Sequence, residues 1–198
     1  MRWDRLFDDL EGQLERELSA EELDLRAEEE RLRIGRLAVR DRLIAIREGG
    51  HEPEQPVALL LTTGEQLVVR PSTFGRDWFL AELTEEAHRS QCVVPLAGVA
   101  ALLLTRSQIE SSLAQTDNTA NDRALSARLT LPFVLRDLCR RRAAVSLHTV
   151  AGDAHGTIDR VGRDHLDLAV HEPDRQRRSR AVSQYRVVPL DQLLLVRL

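Results

Sequence analysis

The chain repeats itself, and no other feature limits its architecture as much. Gly75-Arg76-Asp77, followed by Val93-Val94-Pro95-Leu96, recurs as Gly162-Arg163-Asp164, followed by Val187-Val188-Pro189-Leu190. Both motif pairs lie at equivalent places in runs of alternating apolar residues, the two-residue period of half-buried strands. Two copies of one small β-unit are therefore expected. A chain of 198 residues can bury a core as one medium domain or two small ones.

Within the first copy the pattern predicts strands over Val57–Thr62, Glu65–Arg70 and Trp78–Leu83, with turns at Thr63-Gly64 and Gly75-Arg76-Asp77. A polar loop, Thr84–Gln91, precedes expected strands at Cys92–Leu96 and Val99–Leu104. Five short strands in about 50 residues are too few for a sandwich and suit one small closed barrel. Thr105–Ser126 is rich in Ser, Thr, Asn, Asp and Gln and reads as a linker. Leu131–Arg142 then predicts a helix, with Pro132 in the first turn, where a missing N–H does no harm. The second copy predicts strands at Ala144–Thr149, Ala154–Arg160, His165–Val170, Tyr185–Pro189 and Leu193–Leu198, with a bend at Gly156 and a long loop over His171–Ser183.

The first 50 residues have a different period. Trp3, Leu6, Phe7, Leu10, Leu14 and Leu18 form one apolar stripe at helical spacing over residues 2–18. Ser19-Ala20-Glu21-Glu22 has the form of a capping box, and a second helix is expected from 20 to about 47, stopped by Gly49-Gly50 and Pro53. The result is a helical hairpin or short coiled-coil arm. Its stripe (Trp3, Leu6, Phe7, Leu10, Leu14) is the expected face for a partner or for a homodimer. The expected organisation is an arm at 1–50, a first barrel at 55–104, a linker at 105–126, and a helix plus second barrel at 127–198.

The helix-then-five-strands order, with a strongly bent second strand, resembles the Sm-like and SH3-like small-barrel superfamily. The resemblance covers residues 55–104 and 131–198 and is closest from Gly156 to Leu166 and at Val187-Val188-Pro189-Leu190. It implies an α+β fold of an N-terminal helical hairpin followed by two tandem Sm-like/SH3-like five-stranded barrels, each preceded by a helix. The layout, including the Trp3-Asp4 start, is also similar to an uncharacterised actinobacterial family whose members carry the label of Fis-type transcriptional regulators. Fis-type DNA binding needs a carboxy-terminal helix-turn-helix, whereas Leu193–Leu198 reads as an apolar strand. Sm-like RNA binders read bases with an Asn after the third-strand turn and an Arg-Gly or Lys-His pair before the fifth strand. This chain has Arg163-Asp164-His165 and Arg76-Asp77-Trp78 at the first place and Leu190-Asp191 and Leu96-Ala97 at the second, so those residues do not carry over. Gly-Arg-Asp reads as turn chemistry with a solvated Arg tip.

All 28 basic residues are Arg, and the absence of Lys excludes Schiff-base chemistry and a Gly-Lys-Ser/Thr phosphate loop. Residues 1–50 hold 10 Arg against 14 acids and residues 51–104 hold 3 against 7, but residues 105–198 hold 15 against 11. Only the last segment attracts an acidic partner or nucleic acid. The candidate residues there are Arg140, Arg141 and Arg142 at a helix end, and Arg175, Arg177, Arg178 and Arg180 in the long loop. Tyr185 is the one nearby aromatic for base stacking. Four of the six His (His148, His155, His165, His171) fall in the second copy without metal-ligand spacing, and Cys92 and Cys139 lack an activating motif. No catalytic residue, cofactor or metal is expected. A charged amino terminus and two Cys without a disulfide framework point to the cytoplasm. The reading is a non-enzymatic adaptor or scaffold that binds a protein partner through its barrels and helical arm, with no membrane. The alternative is nucleic-acid binding, RNA before DNA, through the Arg-rich face of the second barrel.

Overall fold

The computed structural model describes residues 22–49, 55–84, 90–114, 125–172 and 182–198. They belong to two compact bodies, Met1–Ala38 and Val39–Leu198. In the first body, helix α1 covers 22–34 and buries no side chain within it. Its support is local: Arg26–Glu22 at 3.4 Å, Arg31–Glu28 at 3.4 Å and Arg33–Glu30 at 2.6 Å. Such solvent-exposed pairs each add little, and less as salt rises. The helix expected from 20 to about 47 is two helices. At Gly35 the ladder tightens, with Arg36 N donating to Arg33 O and Leu37 N to Ile34 O, both at 3.1 Å, and the chain leaves the helix. Glycine weakens a helix by ~1 kcal/mol relative to Ala, which places the break there. The expected helix at 2–18, with Trp3, Leu6, Phe7, Leu10 and Leu14, lies outside the described residues.

The second body begins with α2, Val39–Gly49, whose consecutive residues Leu43, Ile44, Ala45 and Ile46 are all buried. Burial on more than one side reflects contact with both the sheet and α3, Arg106–Leu113. Helix α3 occupies part of the segment read as a linker. Thr105 and Gln108 form its capping box, Gln108 Nε2 donates to Pro56 O at 2.9 Å, and Arg42 donates to Ser112 Oγ at 2.8 Å. Polar side chains fix this helix, so it shows no apolar period.

Ten strands form one antiparallel sheet that does not close. They are β1 Val57–Leu61, β2 Gln66–Phe74, β3 Trp78–Leu83, β4 Gln91–Pro95, β5 Val99–Leu103, β6 Ala144–Thr149, β7 Gly152–Val161, β8 His165–Val170, β9 Gln184–Pro189 and β10 Leu193–Arg197. Helix α4, Leu131–Arg141, precedes β6. The order is β5-β1-β2-β3-β4-β10-β6-β7-β8-β9. Each half therefore has its last strand beside its first, and the halves join where β4 meets β10. The fold is α+β. Among the described residues no helix is long and apolar enough to cross a membrane.

The two halves agree in detail. The β2–β3 register slips between Pro71 and Thr73, and the β7–β8 register slips at the equivalent place, between Ile158 and Arg160. A bulge tolerates a proline that a regular ladder would not, so β2 runs past Pro71 to Phe74 instead of ending at Arg70. The expected bend position, Gly156, lies two residues before this register slip. Gly156 matters for close packing: a Cβ there would fall 2.2 Å from Ala169 O, so its absence lets β8 approach.

Each core borrows from the other half. The first gathers Phe74, Phe79, Leu59, Leu61, Leu43 and Ile44, together with Leu194 and Leu195 of β10. The second gathers Leu135, Leu147, Ile158, Leu166 and Leu168, together with Trp78 and Val93 of the first copy. Leu131, Leu135 and Leu138 are the stripe that α4 buries there.

Candidate functional site: the face where the two copies meet

The repeated motifs, separate in sequence, touch in the fold. In the first copy Gly75 N donates to Trp78 O at 2.8 Å, and Leu96 N donates to Asp77 O at 2.9 Å. The second copy repeats both bonds, Gly162 N to His165 O at 2.8 Å and Leu190 N to Asp164 O at 2.8 Å. So each Gly-Arg-Asp turn closes onto the Val-Pro-Leu segment of its own copy. The glycine is needed because the ring three residues on lies over it. A Cβ at Gly75 would sit 2.1 Å from Trp78 Nε1, and one at Gly162 would sit 2.5 Å from His165 Cε1. An arginine from the preceding helix reaches each glycine carbonyl: Arg40 Nε to Gly75 O at 2.7 Å, and Arg136 to Gly162 O at 3.1 Å.

The side chains then diverge in use. Asp77 Oδ1 accepts from Leu131 N at 2.8 Å. Arg76 N and Trp78 Nε1 both donate to Leu129 O, at 2.9 and 3.0 Å. Thr130, the N-cap of α4 by position, makes no side-chain cap bond, so Asp77 from the other copy fills that role. Beyond turn chemistry, then, the first Gly-Arg-Asp anchors the second copy's helix. In the second copy Asp164 accepts from its neighbour His165 Nδ1 at 2.8 Å, and its side chain is 84% exposed. That bond holds the Asp164 carboxyl below the usual carboxylate range.

The strands differ in the same way. Val93 of β4 is 1% exposed because β10 and the second core cover it. Its counterpart Val187 of β9, at the free edge of the sheet, is 67% exposed, and Tyr185 is 64% exposed. Beside them lies a cleft of about 610 Å³ whose wall includes Leu96, Leu131, Arg163, Asp164, Val187 and Leu190. Its lining is mainly apolar and includes the carboxylate of Asp164 and the guanidinium of Arg163. The signal available in the sequence was the divergence at one repeat position, Trp78 against His165.

The sequence candidates fall elsewhere. Arg140 and Arg141 in the last turn of α4 share one carboxylate, Asp137, with Arg141 Nε 2.7 Å from Asp137 Oδ2. Exposed Arg142 ends the helix in the left-handed conformation, with φ at 52°. Arg175, Arg177, Arg178 and Arg180 lie outside the described residues. His148 lies between Asp153 and Glu65, with its Nε2 2.8 Å from Glu65 Oε2. His155 bonds Ser146 Oγ at 2.9 Å and meets the His171 ring edge-on at 5.4 Å. Burial, and then the nearby His171, push the His155 ring toward its neutral form. Among the described residues no three His, Cys, Asp or Glu are placed to hold a metal. The Cys92 and Cys139 thiols donate to the carbonyls of Ala81 and Asp159, at 3.4 and 3.3 Å.

No family model, curated protein or solved structure matches this chain.

Proposed function

We propose that this protein is a non-enzymatic adaptor or scaffold whose docking face is the β9 edge and the adjoining cleft. One observation carries the reading: Val93 is buried in the junction between the copies, while Val187, at the same repeat position, is exposed. An exposed strand edge offers unpaired N–H and C=O groups to an extended partner segment, and its alternate side chains supply selectivity. The accompanying fold reading is of two Sm-like or SH3-like small-barrel halves. The same strand order and the same bulge in each half support it. The protein is read as cytoplasmic.

Affinity capture from the native host with wild type and with Val187→Lys tests the docking face. The expected result is a partner retained by wild type and lost with the variant; an unchanged set of captured proteins overturns it. The second reading is RNA binding through Arg140, Arg141 and Arg142 with Arg175, Arg177, Arg178 and Arg180. The three consecutive basic residues at the exposed end of α4 favour it. Mobility shift over a salt series decides it: phosphate contacts predict affinity that falls steeply as salt rises, and no retardation at low salt sinks it.

A further inference from the structure

We infer that the His155–His171 pair is an acid-sensitive latch on β9: when these rings take up protons, the end of β8 lets go and the docking edge loosens. The inference rests on the docking face proposed above and names its regulation. The repeat shows that the fold itself asks for no histidine here. Ser146 pairs with His155 and with Arg197 as Ala58 pairs with Val68 and with Leu103. His171 N donates to His155 O at 3.1 Å, as Thr84 N donates to Val68 O at 3.0 Å. His155 and His171 therefore stand where the first copy has Val68 and Thr84.

The surroundings suit neutral rings. His171 is 5% exposed; its Nδ1 donates to Glu172 O at 3.0 Å, which leaves Nε2 to accept from Thr157 Oγ1 at 2.9 Å. His155 bonds Ser146 Oγ through Nδ1, and its Nε2 is buried with no partner among the described residues. The two rings meet edge-on at 5.4 Å. Among the described residues no carboxylate bonds either ring. In the cavity of about 240 Å³ beside His155, Arg197 is cationic and the Asp153 carboxylate is engaged by His148. Glu172 meets His171 through its carbonyl, and the β9 residues at the end of β8, Ser183 and Gln184, are uncharged. Burial, and then His171, lower the His155 pKa, so a state with hydrated rings binds the proton more tightly and acid shifts the population toward it. His171 lies just past β8, and strand ends open at the least cost. Ser183 N and Oγ both donate to Val170 O, and β9 has no neighbour but β8, so what frees the end of β8 loosens β9.

Amide protection factors, measured by NMR on the full chain without a partner, test it at about pH 7.5 and about pH 5, on either side of an ordinary histidine. Leu190 N bonds Asp164 O, so alternation turns the N–H of Gln184 and Arg186 toward β8. Acid should lower protection at Gln184 and Arg186 and leave Leu59 and Val69 of the first half unchanged. His155→Val and His171→Thr, which install the first copy's residues, should each remove the response. His148→Leu, after its counterpart Leu60, should keep it. Circular dichroism at neutral pH checks folding, and His155→Gln is the second variant if His155→Val does not fold. No acid response, or an equal loss in both halves, overturns the inference. So does a response that survives in His155→Val and His171→Thr, or that vanishes with His148→Leu instead. Affinity capture separates the latch from the docking reading. A partner that wild type releases in acid and His155→Val keeps supports the latch. A Val187-dependent partner that both keep overturns the regulation and leaves the docking face standing. If no captured partner depends on Val187, the docking reading fails, and the amide response alone decides the latch.

Discussion

Replacing Asp77 with Ala removes a helix cap supplied by one copy of the repeat to the other. Leu131 N loses its acceptor at 2.8 Å, and Thr130 has no cap bond of its own to replace it. Losing an N-cap costs ~0.5–2 kcal/mol, typically about 1. Asp77 is exposed, so water competes for the freed N–H and the value should stay near the middle, about 1 kcal/mol. In a body the size of Val39–Leu198 this lowers Tm by about 2–4 °C. The control is Asp164→Ala, the same motif position in the other copy. Its carboxylate is 84% exposed and takes its main bond from its neighbour His165, so the change should leave the Tm nearly unmoved. Scanning calorimetry and urea unfolding measure both. Asp77→Ala with Thr130→Asp should recover part of the loss, because the new carboxylate caps α4 locally. Equal losses for Asp77→Ala and Asp164→Ala would refute the reasoning, as would a neutral Asp77→Ala.

Other perturbations follow from the same contacts. Gly75→Ala puts a Cβ 2.1 Å from Trp78 Nε1, displacing the indole from Leu129 O. A cost of ~1–3 kcal/mol, visible as lost Trp fluorescence anisotropy and a lower Tm, is expected. Gly156→Ala meets backbone, Ala169 O at 2.2 Å, and should cost at least as much by urea midpoint. Leu135→Ala empties the centre of the second core, where Leu135 is fully buried, and should cost ~2–5 kcal/mol. His155 has a folded-state pKa below its unfolded value of 6.5, so the unfolded chain binds more protons between the two. Stability should therefore decline as pH falls below about 6.5, with the loss complete below the folded pKa. The Nε2 of His155 has no hydrogen-bond partner among the described residues, which disfavours the charged ring. His155→Gln should flatten that part of the pH profile of the urea midpoint, and an unchanged profile would place the titration elsewhere.

Most strands were legible because alternation and turn chemistry are short-range. Trp78–Leu83, Ala144–Thr149 and His165–Val170 match their expected bounds. Where the reading fell short, the cause lay outside the local pattern. β2 continues past Pro71 because a bulge accommodates it, and α3 is held by Gln108 and Ser112 through bonds to Pro56 and Arg42. The helix after 20 breaks at Gly35, a weak helix former within the expected run.

The candidate site divides along the same line. The repeat, the turn glycines and the positions of most strands within each copy follow from residue type and spacing, which act over a few positions. Which copy of the motif is covered does not. Val93 and Val187 sit in the same four-residue sequence, yet one is buried and the other lies on a free edge. Asp77 caps a helix that starts 54 positions away, while Asp164 faces solvent. Burial is a property of what packs on a surface, and here only the joining of β4 to β10 separates a covered junction from an exposed sheet edge.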